Sequence, residues 1–109
     1  MPTFFVFSFD IHTPPKTDTP EVEIEAQKRK RMEDFISLHT AEAVAKSTYM
    51  FEGTGTVDEH YDTIINLMMP LRAEDKLIIT LTNEPRCYPP HIPKEYLAHV
   101  AKHVPEANQ

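Results

Sequence analysis

The residue best placed to do chemistry is an aspartate at the end of a strongly apolar segment. Asp10 closes the run Thr3-Phe4-Phe5-Val6-Phe7-Ser8-Phe9-Asp10-Ile11, and His12 stands two positions further on. Aromatic and β-branched residues of this kind suit a pleated, buried strand. Side chains alternate along a strand, so Phe5, Phe7, Phe9 and Ile11 share one face, and Phe4, Val6, Ser8 and Asp10 share the other. His12 joins the face of Asp10 if the strand runs that far. A carboxylate there is costly to bury unless it is paired, hydrogen-bonded or bound to a metal. On a divalent ion, Asp10 would hold a water for attack on a phosphodiester, with His12 beside it. One carboxylate per chain makes a poor Mg2+ or Mn2+ site. This chemistry therefore requires a second copy that brings its own Asp10 to a two-fold axis. The competing reading has Asp10 capping the turn toward Pro14 and Pro15, with His12 in solvent.

Lys28, Arg29, Lys30 and Arg31 form the one basic cluster. Four successive helical residues point about 100° apart, so they ring the helix and make no stripe. Contact with a nucleic-acid backbone is one reading. A salt-bridged, solvated helix is the other, and Glu25–Arg29, Arg29–Glu33 and Lys30–Asp34 at i, i+4 favour it. Replacing all four basic residues is expected to spare the fold. His99 and His103, with Glu95 four residues before them, have the spacing of a metal-binding helix face, but they lack the His-Glu-x-x-His pattern and read as a solvated tail. Cys87 beside Arg86 suggests a thiol of lowered pKa, with no histidine placed as its base. Tyr49, Met50 and Phe51 read as sheet residues, although an exposed aromatic there would be able to stack a base.

Composition removes several classes of function. The chain has 109 residues, the size of one small domain. Its net charge of −6 argues against a generic nucleic-acid surface and leaves room for a local basic patch or a metal-bridged phosphate. Its two glycines, Gly53 and Gly55, stand almost together, so glycine-rich phosphate loops are absent. No apolar run reaches the roughly 20 residues of a membrane span. No basic region precedes the first apolar stretch, and no small-residue cleavage site follows it. Cys87 is the single cysteine, so no intrachain disulfide forms. These features point to a cytoplasmic protein without a membrane partner.

The elements that must position Asp10 can be read in order. Residues 12–20 form a proline-rich loop. A helix starts at Pro20, capped by Asp18 or Thr19, and runs to about residue 38. Its second half is amphipathic through Met32, Phe35, Ile36 and His39, and its charged first half is expected to project beyond the core. Two short strands fall within 42–54, the surer at 47–52. Thr56-Val57-Asp58-Glu59 matches a capping box. Val57, Tyr61, Ile64, Ile65 and Met68 follow as one apolar stripe, and Pro70 ends this helix at about Met69. Residues 76–82 are apolar on both faces and read as a central strand. Residues 83–93 contain four prolines and read as an irregular arm. A last short helix over 93–103 has Tyr96, Val100 and either Leu97 or Val104 as its apolar side. The order β-α-β-β-α-β predicts an α+β, ferredoxin-like sandwich over residues 1–82, with an appended C-terminal arm and short helix over 83–109. Two helices on one sheet face leave the other open. Phe4, Phe5, Val6, Phe7 and Phe9 offer more apolar surface than one helical layer covers, so a homodimer over the open face is expected.

With these elements in place, the chain resembles a known group. A first strand ending Phe9-Asp10-Ile11, then a helix, then Tyr49-Met50-Phe51-Glu52-Gly53 before a second helix, resembles the CRISPR-associated protein two family and the related VapD toxins and SinR-like proteins. The likeness covers roughly residues 3–82 as a pattern of elements. It implies a dimeric, magnesium-dependent nuclease of defence or toxin–antitoxin systems acting on RNA or DNA, with Asp10 as the metal ligand. The charged first half of the helix, the arm from residue 83 and the acidic charge depart from the pattern. They bear on catalysis more than on fold. A function of another class is a non-enzymatic, acidic protein-interaction module, an inhibitor or adaptor, using the charged helix and the proline-rich arm. A third is a small-molecule binder using a cavity on the sheet face of the dimer.

Overall fold

Alternation along the first strand sets the architecture. A computed structural model of the chain describes residues 3–81, 86–90 and 94–103. It is an α+β fold built on one five-stranded antiparallel sheet with three helices. The elements are β1 (Phe4–Asp10), α1 (Thr19–Leu38), β2 (Glu42–Ala45), β3 (Thr48–Glu52), α2 (Val57–Leu67), β4 (Lys76–Thr80), β5 (Arg86–Tyr88) and α3 (Lys94–Ala101). The strand order is β2-β3-β1-β4-β5, which puts β1 at the centre. Phe7 lies opposite Tyr49 of β3 and Ile79 of β4, and Asp10 lies opposite Lys76.

One sheet face carries the main core. Phe5 and Phe7 of β1, Phe51 of β3, and Leu77 and Ile79 of β4 are buried against Met32 and Phe35 of α1 and Ile64 of α2. Phe35 meets Phe7 and Phe51 edge-on, each with ring centroids 5.7 Å apart, a favourable geometry for aromatic pairs. The apolar stripe of α2 faces this core as its spacing implies: Ile64 and Met68 are buried there, with Val57, Tyr61 and Ile65 packed beside them. The helix starts with one of the two bonds of that capping box, Thr56 Oγ1 accepting from the Glu59 N–H at 3.1 Å. Thr56→Ala is expected to destabilise the protein by about 1 kcal/mol in a urea titration. An unchanged midpoint would show that the cap contributes nothing.

The other face corrects an expectation. Val6 and Ile78 are buried on it under Val100 of α3, with Met50, Cys87 and Leu97 packed around them. The centre of the face expected to be open is thus covered by the chain's own last helix, and the face of Phe5 lies under α1 and α2. An uncovered apolar sheet therefore no longer argues for a dimer. Of the segment read as an irregular arm, residues 86–88 form β5, hydrogen-bonded to β4. Proline is tolerated where a short edge strand ends, and Pro89 and Pro90 follow directly. Thr82 and Val104 lie outside the described residues. Among the described residues, no helix is long and apolar enough to cross a membrane.

The charged first half of α1 does not project. Asp18 caps it, accepting from the Glu21 N–H at 3.4 Å. Glu21 and Lys28 then tie it to the turn that precedes β4.

Candidate functional site

The register of β1 against β4 builds a polar cluster at the end of β1. Asp10 is opposite Lys76. Carried one step further, the same register brings Asp75 alongside the residues that follow Asp10. Asp75 is fully buried and Lys28 is 2% exposed. Asp75 Oδ2 accepts from Lys28 Nζ at 2.7 Å and from the Arg72 N–H at 2.8 Å. Its Oδ1 accepts from the His12 N–H at 2.8 Å. Burial pushes the Asp75 pKa up. The bonds from His12, Lys28 and Arg72, with the Lys28 charge, outweigh it and hold the carboxyl below the usual aspartate range. Two further clamps close on the same region. Arg72 grips Glu21 with Nε at 3.0 Å and Nη2 at 2.7 Å, and that bond holds the Glu21 carboxyl below its usual range. Arg29 Nη2 donates to the Ile11 carbonyl at 3.1 Å and to Thr13 Oγ1 at 3.3 Å.

Against this frame, Asp10 is exposed, and its side chain makes no hydrogen bond or ion pair with any described residue. The turn after β1 is held by Asp75, which comes 63 residues later in the chain than the His12 N–H it accepts from. Asp10 therefore does not serve as the turn cap. β1 ends at Asp10, so His12 stands outside the strand, its Nδ1 3.9 Å from a Glu74 carboxylate oxygen.

The basic cluster is dispersed as its ring-like spacing implies. Lys28 is in the buried pair. Arg29 binds Glu25 at 2.9 Å, and Lys30 binds Asp34 at 2.8 Å, both i, i+4. Arg31 Nη1 donates to the Met69 carbonyl at 3.0 Å. All four have partners within the chain, and Arg29 and Lys30 keep substantial solvent exposure.

Among the described residues, no three His, Cys, Asp or Glu side chains are grouped to hold a metal ion. Asp10 is a hard oxygen donor of the right type for Mg2+ or Mn2+, and it belongs to no such group. The rings of His99 and His103 lie 5.3 Å apart, with Glu95 exposed. Cys87 reverses its expectation: burial pushes its thiol pKa up by more than the neighbouring Arg86 charge lowers it. Arg86 is instead engaged by the Tyr61 ring at 4.6 Å and by Asp58 at 3.2 Å.

Sequence reasoning missed the Lys28–Asp75 pair. It also missed a histidine cluster at the other end of β1. The His39 ring packs 4.3 Å from Phe35 and 5.1 Å from Phe51, and His60 packs 4.4 Å from Phe5 and 5.2 Å from Phe51. His60 Nε2 is 2.6 Å from the Thr54 carbonyl, so it donates there. Burial, and then the charge of His60, lower the His39 pKa. Just below the ordinary histidine value of about 6.5, the unfolded chain binds a proton that the folded chain refuses. Stability from this group is complete above that value and declines as pH falls through the window. The melting temperature is expected to drop between pH 7.5 and 5.5, and to drop less in His39→Gln. Equal drops in both proteins would show that His39 contributes nothing to the pH dependence.

No family model matches the chain, and neither a curated protein nor a solved structure shows significant similarity to it.

Proposed function

We propose that this chain acts on nucleic acid as a homodimer of the type it resembles, with Asp10 of each copy contributing to a shared Mg2+ or Mn2+ ion. The reading takes the fold as ferredoxin-like: β1, α1, β2, β3, α2 and β4 with strand order 2-3-1-4, and β5 added beside β4. One observation carries it. Asp10 is an exposed carboxylate without a partner among the described residues, at the end of the central strand, next to a loop that Asp75 holds at His12 and Arg29 holds at Ile11 and Thr13. A ligand group held on a rigid element is preorganised to bind without breaking existing contacts. Arg29 supports the reading too. It brings a half-exposed guanidinium to Ile11 and Thr13, just past Asp10, where a phosphate can be met. The test is incubation of the purified protein with labelled RNA and DNA, with and without Mg2+ or Mn2+. Divalent-dependent cleavage is the expected result. Absence of both cleavage and binding, with RNA and with DNA, would overturn the proposal.

The second reading is a non-enzymatic interaction module. It is favoured by the internal pairing of all four basic residues in a chain of net charge −6. It predicts no retention of nucleic acid in the same assay.

A further inference from the structure

Among the described residues, two large apolar side chains are exposed, Leu38 at 80% and Met69 at 42%. Leu38 lines a groove, and the Met69 backbone is tied to another residue of that groove. The groove, of about 310 Å³, runs between α1 and α2, lined by Phe35, Leu38 and Leu67, with Arg31 and Asp34 also on it. Arg31 in turn bonds the Met69 carbonyl. We infer that this groove is a homotypic contact, occupied by Leu38 of a second copy of this chain.

The argument is one of self-complementarity. A two-fold contact uses the same patch on both partners, so the patch must fit itself. This one has a projecting leucine beside an apolar concavity, the knob and the hole on one face. It also has Arg31 and Asp34 a single helical turn apart, and Asp34, which accepts from the exposed Lys30 through Oδ1, keeps 64% of its side chain exposed. A partner patch of a single charge sign would be repelled by one of the two. A two-fold copy can set its Asp34 toward Arg31 and its Arg31 toward Asp34, so the pairing is made twice. Among the described residues, the sheet face exposes no large apolar side chain, and α3 covers its centre.

The inference is independent of the Asp10 reading. His39 lines this groove and packs on Phe51, which lies opposite Phe5 near the start of β1, whereas Asp10 ends that strand. This is not the contact that would join two Asp10 carboxylates. A chain using both contacts would assemble beyond a dimer.

Sedimentation equilibrium in a chelating buffer, where no divalent ion bridges copies, provides the test. The wild-type protein is expected to self-associate, and Leu38→Glu to weaken the association about tenfold or more. Arg31→Glu and Asp34→Arg should each weaken it, and the double reversal should restore it. Asp10→Asn should leave it unchanged. Circular dichroism is expected to find each variant folded, since Asp34 and Leu38 are exposed and Arg31 is half-buried. A wild-type monomer throughout the micromolar range would overturn the inference. So would Leu38→Glu associating like wild type, or charge reversals that the double variant does not rescue.

Discussion

Asp75→Ala is expected to destabilise this protein by about 3–5 kcal/mol, a large share of the roughly 5–15 kcal/mol that holds a small domain folded. The substitution strands Lys28, which is 2% exposed, without its counter-charge, and leaves the His12 and Arg72 amides without their acceptor. Lys28→Met should be milder, because Asp75 keeps two backbone donors. The double variant Lys28→Met/Asp75→Asn should recover most of the loss, since a buried ion pair contributes little beyond what a well-packed neutral pair provides. Acid should act through the same group. The Asp75 pKa is lowered by folding, so below the ordinary aspartate value of about 3.9 the unfolded chain binds more protons, and stability is lost as pH falls further. Urea titrations at neutral pH decide the first point. A change within about 0.5 kcal/mol, the range of ordinary surface substitutions, would show that the cluster does not hold the fold. The same geometry changes how the basic cluster must be probed. Replacing all four residues would unseat the buried Lys28. Arg29→Gln and Lys30→Gln are the substitutions that test phosphate contact.

Where side-chain period and composition agreed, the fold was legible. The alternation of β1, the capping box of α2 and the apolar stripe that follows it, and the two-sided apolarity of β4 each gave one reading, and the structure has those elements. β5 was not legible, because three residues between prolines are too few to display a period and its pairing with β4 is long-range. The coverage of the second sheet face by α3 rests on long-range packing too. The Lys28–Asp75 pair left a faint trace. Lys28 precedes Met32 by four and Phe35 by seven, which places it on the buried stripe of α1, but its charge and its basic neighbours assigned it to the solvent side. A lysine on a buried stripe asks for a buried acid, and nothing in the sequence pointed to one 47 residues away. The alternative of Asp10 as a turn cap stays open in the sequence for the same reason, since the side chain that holds the turn comes from a distant segment.

The central claim is that Asp10 serves a ligand and not the fold, and Asp10→Asn tests it most directly. The side chain is exposed and unpaired among the described residues, and asparagine keeps its shape while removing its charge. The stability of the variant should therefore stay within about 0.5 kcal/mol of wild type. A metal-ligating carboxylate so changed forfeits several kcal/mol of transition-state stabilisation, so divalent-dependent cleavage should fall at least about 100-fold. The decisive measurement is cleavage of labelled RNA and DNA by wild type and Asp10→Asn, in Mg2+ and in Mn2+, on protein whose melting temperature has been matched. The account predicts an intact fold and lost cleavage. Cleavage by Asp10→Asn at the wild-type rate would contradict it.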